Sequence, residues 1–391
     1  MPVRLHTTFR PLPAFLAALV VLALPAIAGA NADLKVGFLD NTYAEHSPDA
    51  FWADAATLNV GVMRWDLQWA TIAPSQPVAE RDPADPAYRW AATDAFVIGA
   101  ANHGLQDRVM FTLWKTPPWA ASVKNKGALE TQMPTLTAWQ NFVAAAATRY
   151  SGQYTPLGAS EPLPRVIAWE TWNEPNAKFA FRPQYKGGKA VSPKNYVILL
   201  NALKQEVNAA APFTPTFVAG AMFKQGSPRS NPGPIEFMRG LKAAGAKFDV
   251  LSMHPYNNTP NLGLNDGLDL SKTNPSFVGV GNFNVFISLA NQIFHKKYPI
   301  WVTEFGWATP AAGKSQYTTS FANQAKFAAK SIARFRSLPQ VERAIWFLIR
   351  DDISPDDPSS KAWYTTGLKK SDDVNKPSFN AWVNATKSLR K

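Results

Sequence analysis

The chain has 391 residues, with 40 Lys and Arg against 28 Asp and Glu, no cysteine and 14 tryptophans. Without cysteine there is no disulfide, no thiolate nucleophile and no Cys-ligated zinc. The net charge of +12 comes from cations scattered along the chain. That is the pattern of a solvated basic surface, and it argues against a nucleic-acid partner.

At the N-terminus, Arg4 and Arg10 precede an apolar run from Ala14 to Leu24, then Pro25 and the small-residue triplet Ala28-Gly29-Ala30. That layout is a secretory signal peptide with cleavage near Ala30. The apolar run before Pro25 is too short to anchor the chain, since crossing a bilayer needs about 20 residues. The sequence therefore predicts a signal peptide over 1–30 and one exported domain over 31–391, secreted to the periplasm or beyond, with no membrane span.

Short apolar runs then alternate with amphipathic stretches. Strands are expected at 34–39 (LKVGFL), 59–65 (NVGVMRW), 108–114 (RVMFTLW) and 165–172 (RVIAWETW). Four more follow at 216–222 (TFVAGAM), 248–253 (FDVLSM), 299–305 (PIWVTEF) and 343–349 (RAIWFLI). Each is too short and too rich in β-branched or aromatic residues for a helix. Helical patterns lie between them, for example at 90–103, 135–150, 193–210, 283–296 and 316–336. Eight strand-and-helix units, spaced about 44 residues apart, imply a parallel sheet closed into a (β/α)8 TIM barrel in the α/β class. An open doubly wound sheet is the alternative, but no Gly-rich phosphate turn follows the first strand. The Pro/Asn/Gly-rich loops 73–88 and 257–281 are long enough to shape a substrate cleft.

In such a barrel, function collects where the strands end. Arg64, Trp65 and Asp66 stand at the second strand, Trp114 and Lys115 at the third, Asn173 and Glu174 at the fourth. His254 and Tyr256 follow the sixth, Glu304 and Trp307 the seventh, and Trp346 lies in the eighth. Two carboxylates at different strand ends, framed by aromatic rings, suit cleavage of a glycosidic bond. One carboxyl must be protonated while its neighbour is ionised, and mutual repulsion achieves this. Tryptophan faces fit the C–H-rich faces of sugars, and Arg64 is placed to keep one carboxylate ionised. Metal hydrolysis would need grouped His, Asp and Glu ligands, and only His254 of the five histidines falls at a strand end. No metal or other cofactor is expected.

"WETWNEPN" (169–176) with the later "WVTEFGW" (301–307) resembles the clan of retaining glycoside hydrolases built on the (β/α)8 barrel. The resemblance covers essentially the whole of 31–391 in order and spacing. It implies that Glu174 is the general acid/base and Glu304 the nucleophile. Asn173 would bind the sugar 2-hydroxyl, and Arg64, His254 and Tyr256 match supporting positions of the clan. The third strand departs from family 5 cellulases, which usually carry a histidine where this chain reads "TLWKTPPWA". Together with "RWDLQWATIAP", that stretch looks closer to family 39-like members. Trp114, Trp307 and Trp346 complete the expected substrate-binding set. A transglycosylase or a non-catalytic carbohydrate-binding barrel would share these residues.

Several residues read more simply as structural. Glu170 points the same way as Glu174 but lies roughly 13 Å deeper, at about 3.3 Å per strand residue, and is expected to be a hydrogen-bonded core acid. Asp66 is expected to be the partner of a neighbouring base. Trp52, Trp90, Trp139 and Trp382 fall on helical patterns and are expected in the core. Of Trp65, Trp69, Trp114, Trp119, Trp307 and Trp346, two or three are expected to touch substrate. After the fourth strand, Lys178, Arg182, Lys186 and Lys189 occur without an intervening acid, a segment suited to recruiting an anionic glycan.

Overall fold

The computed structural model describes residues 31–389 apart from 32, 124–126, 266–276, 311–316 and 353–361; the expected signal peptide lies outside them. Eight strands form the barrel: β1 (Lys35–Leu39), β2 (Val62–Gln68), β3 (Val109–Trp114), β4 (Ala168–Thr171), β5 (Thr216–Met222), β6 (Val250–Met253), β7 (Ile300–Phe305) and β8 (Val341–Phe347). All pairings are parallel and follow chain order, and β8 closes on β1 with Lys35 opposite Arg343 and Leu39 opposite Phe347. The closed (β/α)8 architecture is the one the alternating pattern predicts. Strand ends shift by up to three residues, with β2 reaching on to Gln68 and β4 shortened to four.

Alternation along the strands builds two cores. Leu39, Val62, Met110, Ala168, Val218, Val250, Trp301 and Ile345 point inward and fill the barrel. Their neighbours point outward and meet the helices in a much larger layer. Because both faces are covered, the strands read as nearly continuous apolar runs rather than as polar–apolar alternation. The predicted helices are found at Ala91–Asn102, Leu136–Arg149, Ser192–Ala210, Phe283–Phe294 and Phe321–Arg336. The last starts five residues later than its sequence pattern. The Ser320 hydroxyl accepts from Asn323 N there and fixes the first turn. Trp52, Trp90, Trp139 and Trp382 are buried, as their helical positions predict. Among the described residues, no helix is long and apolar enough to cross a membrane.

The barrel is irregular where it matters for the site. On β7, Val302 pairs with Ala344 and Phe305 with Trp346, so three steps on β7 oppose two on β8. Val302 and Phe305 both face outward, which leaves Thr303 and Glu304 between them at the bulge. On β5, Ala219 and Met222 likewise oppose Leu251 and Met253, with Gly220 and Ala221 as the bulged pair. Gly220 has φ +128°, and a Cβ there would stand 2.3 Å from Ser252 O, so only glycine fits. These bulges are local rises in the chain that re-aim side chains at the barrel mouth.

Candidate active site

Arg64 is the centre of the site. It is fully buried at β2, where Nε donates to Thr112 Oγ1 (2.7 Å), Nη1 to Thr303 O (3.2 Å) and Nη2 to Asn173 Oδ1 (2.9 Å). Nη1 also donates to Glu304 Oε1. Three carboxyls thus surround one guanidinium, with Asp66 Oδ1 3.2 Å from Nη2 and Glu170 Oε2 3.4 Å from Nε. Burying such a cation alone would be prohibitive, and the surrounding acids offset that cost.

Glu304 is held from both sides. Oε1 takes Arg64, and Oε2 accepts from Tyr256 Oη at 2.9 Å. Donors at both oxygens suit a carboxylate form. The bulge in β7 makes this possible, because it turns Glu304 and the preceding Thr303 toward the same neighbours.

Glu174 lies opposite. Its backbone N donates to Ala221 O at 3.0 Å, so the bulge of β5 anchors the turn that carries it. That turn is strained: Trp172 has φ +63° and Glu174 φ +46°. Lys115, Ala221 and Leu348, also just beyond or at strand ends of this rim, share positive φ. Non-glycine residues held this way cost energy and cluster at functional sites. Burial raises the Glu174 carboxyl above its usual range, and the charge of Glu304 raises it further; His254 opposes both. The raised pKa suits Glu174 to carry a proton that it can give up.

His254 connects the two. Nδ1 is 3.1 Å from Glu174 Oε1 and Nε2 is 3.0 Å from Thr303 Oγ1. Burial pulls its pKa down to about 4, so the ring is neutral. A neutral imidazole donates from one nitrogen and accepts at the other. With Glu174 protonated, Nδ1 accepts and Nε2–H donates to Thr303; with Glu174 ionised, the roles reverse and the Thr303 hydroxyl donates. Nδ1 is also 3.7 Å from Glu304 Oε2.

Glu174, His254 and Glu304 each offer a ligand atom, all within 4.8 Å of one another. The cluster is a poor cation site. Arg64 already neutralises Glu304, and both His254 nitrogens are engaged. What the arrangement does suit is proton donation by one carboxyl and charge donation by the other across a gap the size of an acetal linkage.

The glycosyl hydrolase catalytic core family matches residues 170–367, half of the chain, from within β4 to beyond β8. The chain belongs to that family. The chain is similar in fold to a family 39 glycoside hydrolase from the gut symbiont Bacteroides cellulosilyticus WH2, at 19% identity and TM-score 0.63, covering 91% of this chain and 64% of that one. It thus spans just under two thirds of that enzyme's length. It is also similar to GH5_18 from Streptomyces cattleya in complex with GlcNAc, at 16% identity and TM-score 0.60, covering 92% and 80%. Xylanase 10B from Thermotoga petrophila RKU-1 in complex with xylobiose matches at 15% identity and TM-score 0.56, covering 91% and 94%. These likenesses are of the barrel fold, shared across families 39, 5 and 10. No curated protein matches the sequence.

The other residues singled out in the sequence divide. Asn173 joins the cluster: with Oδ1 on Arg64, its free capacity is the two amide N–H donors. Glu170 is fully buried and accepts from Thr112 Oγ1 at 2.7 Å, well below the mouth. Trp114 and Trp119 are half-buried at the rim, with Trp119 donating to Ala73 O. Trp65 and Trp69 are buried under the helices, stacked on Phe96 and Phe142.

Trp307 and Trp346 need correction as substrate platforms. Trp346 is fully buried and faces outward, with Nε1 on Thr366 O and its ring against Phe305 and Trp382. The inward residues of β8 are Ile345 and Phe347, so Trp346 has the wrong parity for the cleft. Trp307 is 2% exposed and packs on Phe327 and Trp346. The mouth there carries Phe347 and the 38%-exposed Tyr364, whose rings lie 6.5 Å apart. Sequence reasoning missed Phe347, Tyr364 and Thr303. A threonine beside Glu304 in an apolar strand was a usable signal; Tyr364 lies far beyond β8 and gave none.

Proposed function

We propose that the glycosidase is an exported enzyme cleaving O-glycosidic bonds of a poly- or oligosaccharide by double displacement with retention. Glu304 attacks the anomeric carbon while protonated Glu174 gives its proton to the departing oxygen. Glu174, now ionised, takes a proton from water, which displaces Glu304 and frees the sugar with its original anomeric configuration. Asn173 offers its amide N–H to a sugar hydroxyl beside the reacting carbon. No metal or cofactor enters the scheme.

The observation that carries this reading is the closeness of the pair, with carboxyl oxygens of Glu174 and Glu304 within 4.8 Å. Retaining glycosidases hold their carboxyls about 5–5.5 Å apart, whereas inverting ones leave about 6.5–9.5 Å for a water. The opposed environments add support: Arg64 and Tyr256 serve Glu304, while burial and the neighbouring charge keep the proton on Glu174. Export is supported by the Arg4, Arg10, Ala14–Leu24 and Ala28-Gly29-Ala30 layout.

The test is reducing-sugar release from a panel of neutral and uronic-acid glycans, with wild type beside Glu304→Gln. Release by wild type alone is expected, and the responding glycan names the substrate. Equal release by both proteins would remove Glu304 as the nucleophile.

A further inference from the structure

The loops after β4 and β5, residues 175–191 and 223–235, hold Lys178, Arg182, Lys186, Lys189, Lys224 and Arg229 and not one Asp or Glu. Exposed cations elsewhere find acids, as Arg165 does in Asp107 and Arg81 in Glu206. Among the described residues, Lys178, Arg182 and Arg229 have no such acid. The next acid along the chain, Glu236, accepts from Tyr185 Oη at 3.2 Å. Lys224 is turned toward the neighbouring loop, where its Nζ donates to Asn257 O.

Two asparagines join these loops into one wall. Asn176 Oδ1 accepts from Phe223 N at 2.7 Å, and its Nδ2 donates to Phe223 O (3.0 Å) and Pro232 O (3.1 Å). Asn231 Oδ1 accepts from Lys178 N at 2.9 Å. Asn231 also exchanges two backbone hydrogen bonds with Ser227, both 2.9 Å, and so closes the turn that has exposed Arg229 at its middle. Arg182 Nε donates to Lys178 O at 2.7 Å. Three cations are thereby tied to one stretch of backbone. An aromatic pair stands among them. Phe179 is 55% exposed, and its ring meets Phe223 edge-on with centroids 5.2 Å apart.

The wall lies on the side of Glu174. Ala221 O accepts from Glu174 N, and Phe223 follows two residues beyond Ala221. Asn176 and Phe179 follow Glu174 by two and five residues. The oxygen that Glu174 protonates departs toward this side, so the wall meets the leaving part of the glycan.

We propose that the wall is a leaving-group subsite for a uronic acid. The sugar lays its C–H face on Phe179, whose edge contact with Phe223 holds the ring in place, and sets its carboxylate among Lys178, Arg182 and Arg229. A planar guanidinium matches a carboxylate with two parallel N–H donors, which a neutral sugar cannot use in the same way. Each exposed pair contributes little by itself, so selection comes from several acting together. The substrate is then an acidic oligo- or polysaccharide with sugars on both sides of the cleaved bond.

This inference rests on the glycosidase reading above, which reducing-sugar release by wild type and not by Glu304→Gln checks separately. Binding is measured by titration calorimetry of the Glu304→Gln protein, which holds the glycan without turnover. The probes are hexamers of galacturonate, mannuronate and glucuronate, each beside its carboxyl-reduced form. At least one acidic hexamer is expected to bind about 3–10-fold more tightly than its reduced form at low salt, the scale of two exposed ion pairs. The gap should close near 1 M salt, where screening acts over about 3 Å. Adding Lys178→Gln and Arg229→Gln should abolish the gap, and adding Phe179→Ala should weaken both forms by the same factor. Lys326→Gln with Lys330→Gln removes the same charge from the exposed face of the helix Phe321–Arg336 and should leave the gap intact. All these side chains are exposed, and melting temperatures of the variants check that folding is retained. An equal loss in the Lys326/Lys330 variant would assign the effect to net charge and overturn the proposal. A gap that survives Lys178→Gln/Arg229→Gln, or no preference for any acidic hexamer, would overturn it too. Reducing-sugar release from neutral glycans alone would strike only this subsite and leave the roles of Glu174 and Glu304 standing.

Discussion

His254 Nδ1 lies 3.1 Å from Glu174 Oε1, and the ring is neutral because burial brings its pKa down to about 4. The acid/base therefore faces a partner that adapts to either of its protonation states without adding charge. A cationic histidine there would favour ionised Glu174 and deprive the first step of its proton.

The pH dependence follows from this. Glu174 must be protonated for bond cleavage, and its pKa is raised by burial and by Glu304. kcat/KM is thus expected to hold below that raised value and fall as pH rises through it. Glu174→Gln should lose this alkaline limb. With a 2,4-dinitrophenyl leaving group, which needs no proton, the variant should keep its first step, and azide should restore turnover. A pH–rate profile of both proteins checks this; an alkaline limb unchanged in Glu174→Gln would assign it elsewhere.

Tyr256→Phe removes one of the two donors on Glu304 and leaves the packing in place. A fall in kcat of roughly 10–100-fold is expected, with the melting temperature nearly unchanged. Arg64→Ala is a different case. It strands Glu304, Glu170 and Asp66 without their shared cation, and a loss of about 3–5 kcal/mol is expected in denaturant unfolding.

Gly220→Ala tests the bulge behind Glu174. The added Cβ meets Ser252 O at 2.3 Å with φ at +128°, so the backbone must move. Destabilisation of about 2–4 kcal/mol is expected. Because Ala221 O accepts from Glu174 N, activity should fall beyond what the unfolded fraction explains. Thermal melting and specific activity on the same samples separate the two effects.

The loop after β4 carries exposed Lys178, Lys186 and Lys189 with half-buried Arg182, whose Nε donates to Lys178 O at 2.7 Å. If these cations recruit an anionic glycan, Lys178→Glu with Arg182→Glu should raise KM on a uronic-acid polymer several-fold at low salt. The effect should fade near 1 M salt, where screening acts over about 3 Å. Neutral glycans should show no change.

Much of this was legible in the sequence, for reasons that differ by residue. Barrel strands are apolar on both faces, so their number and spacing stand out, and with them the ends that carry Glu174 and Glu304. The same two-sided burial hides which face each residue takes. That is why Trp346 reads as a cleft residue although Ile345 and Phe347 hold the inward positions. Parity also breaks at the bulges: Thr303 and Glu304 are consecutive, yet both join the site, and no local pattern marks the extra residue. The charge network around Arg64 joins β2, β4 and β7, and only closure of the barrel brings them together.

The most direct measurement is the anomeric configuration of the first-formed sugar, followed by proton NMR before mutarotation. Double displacement through Glu304 predicts that the released sugar keeps the configuration of the glycoside. An inverted first product would mean that water attacks directly, and would contradict the assignment of Glu304 as nucleophile.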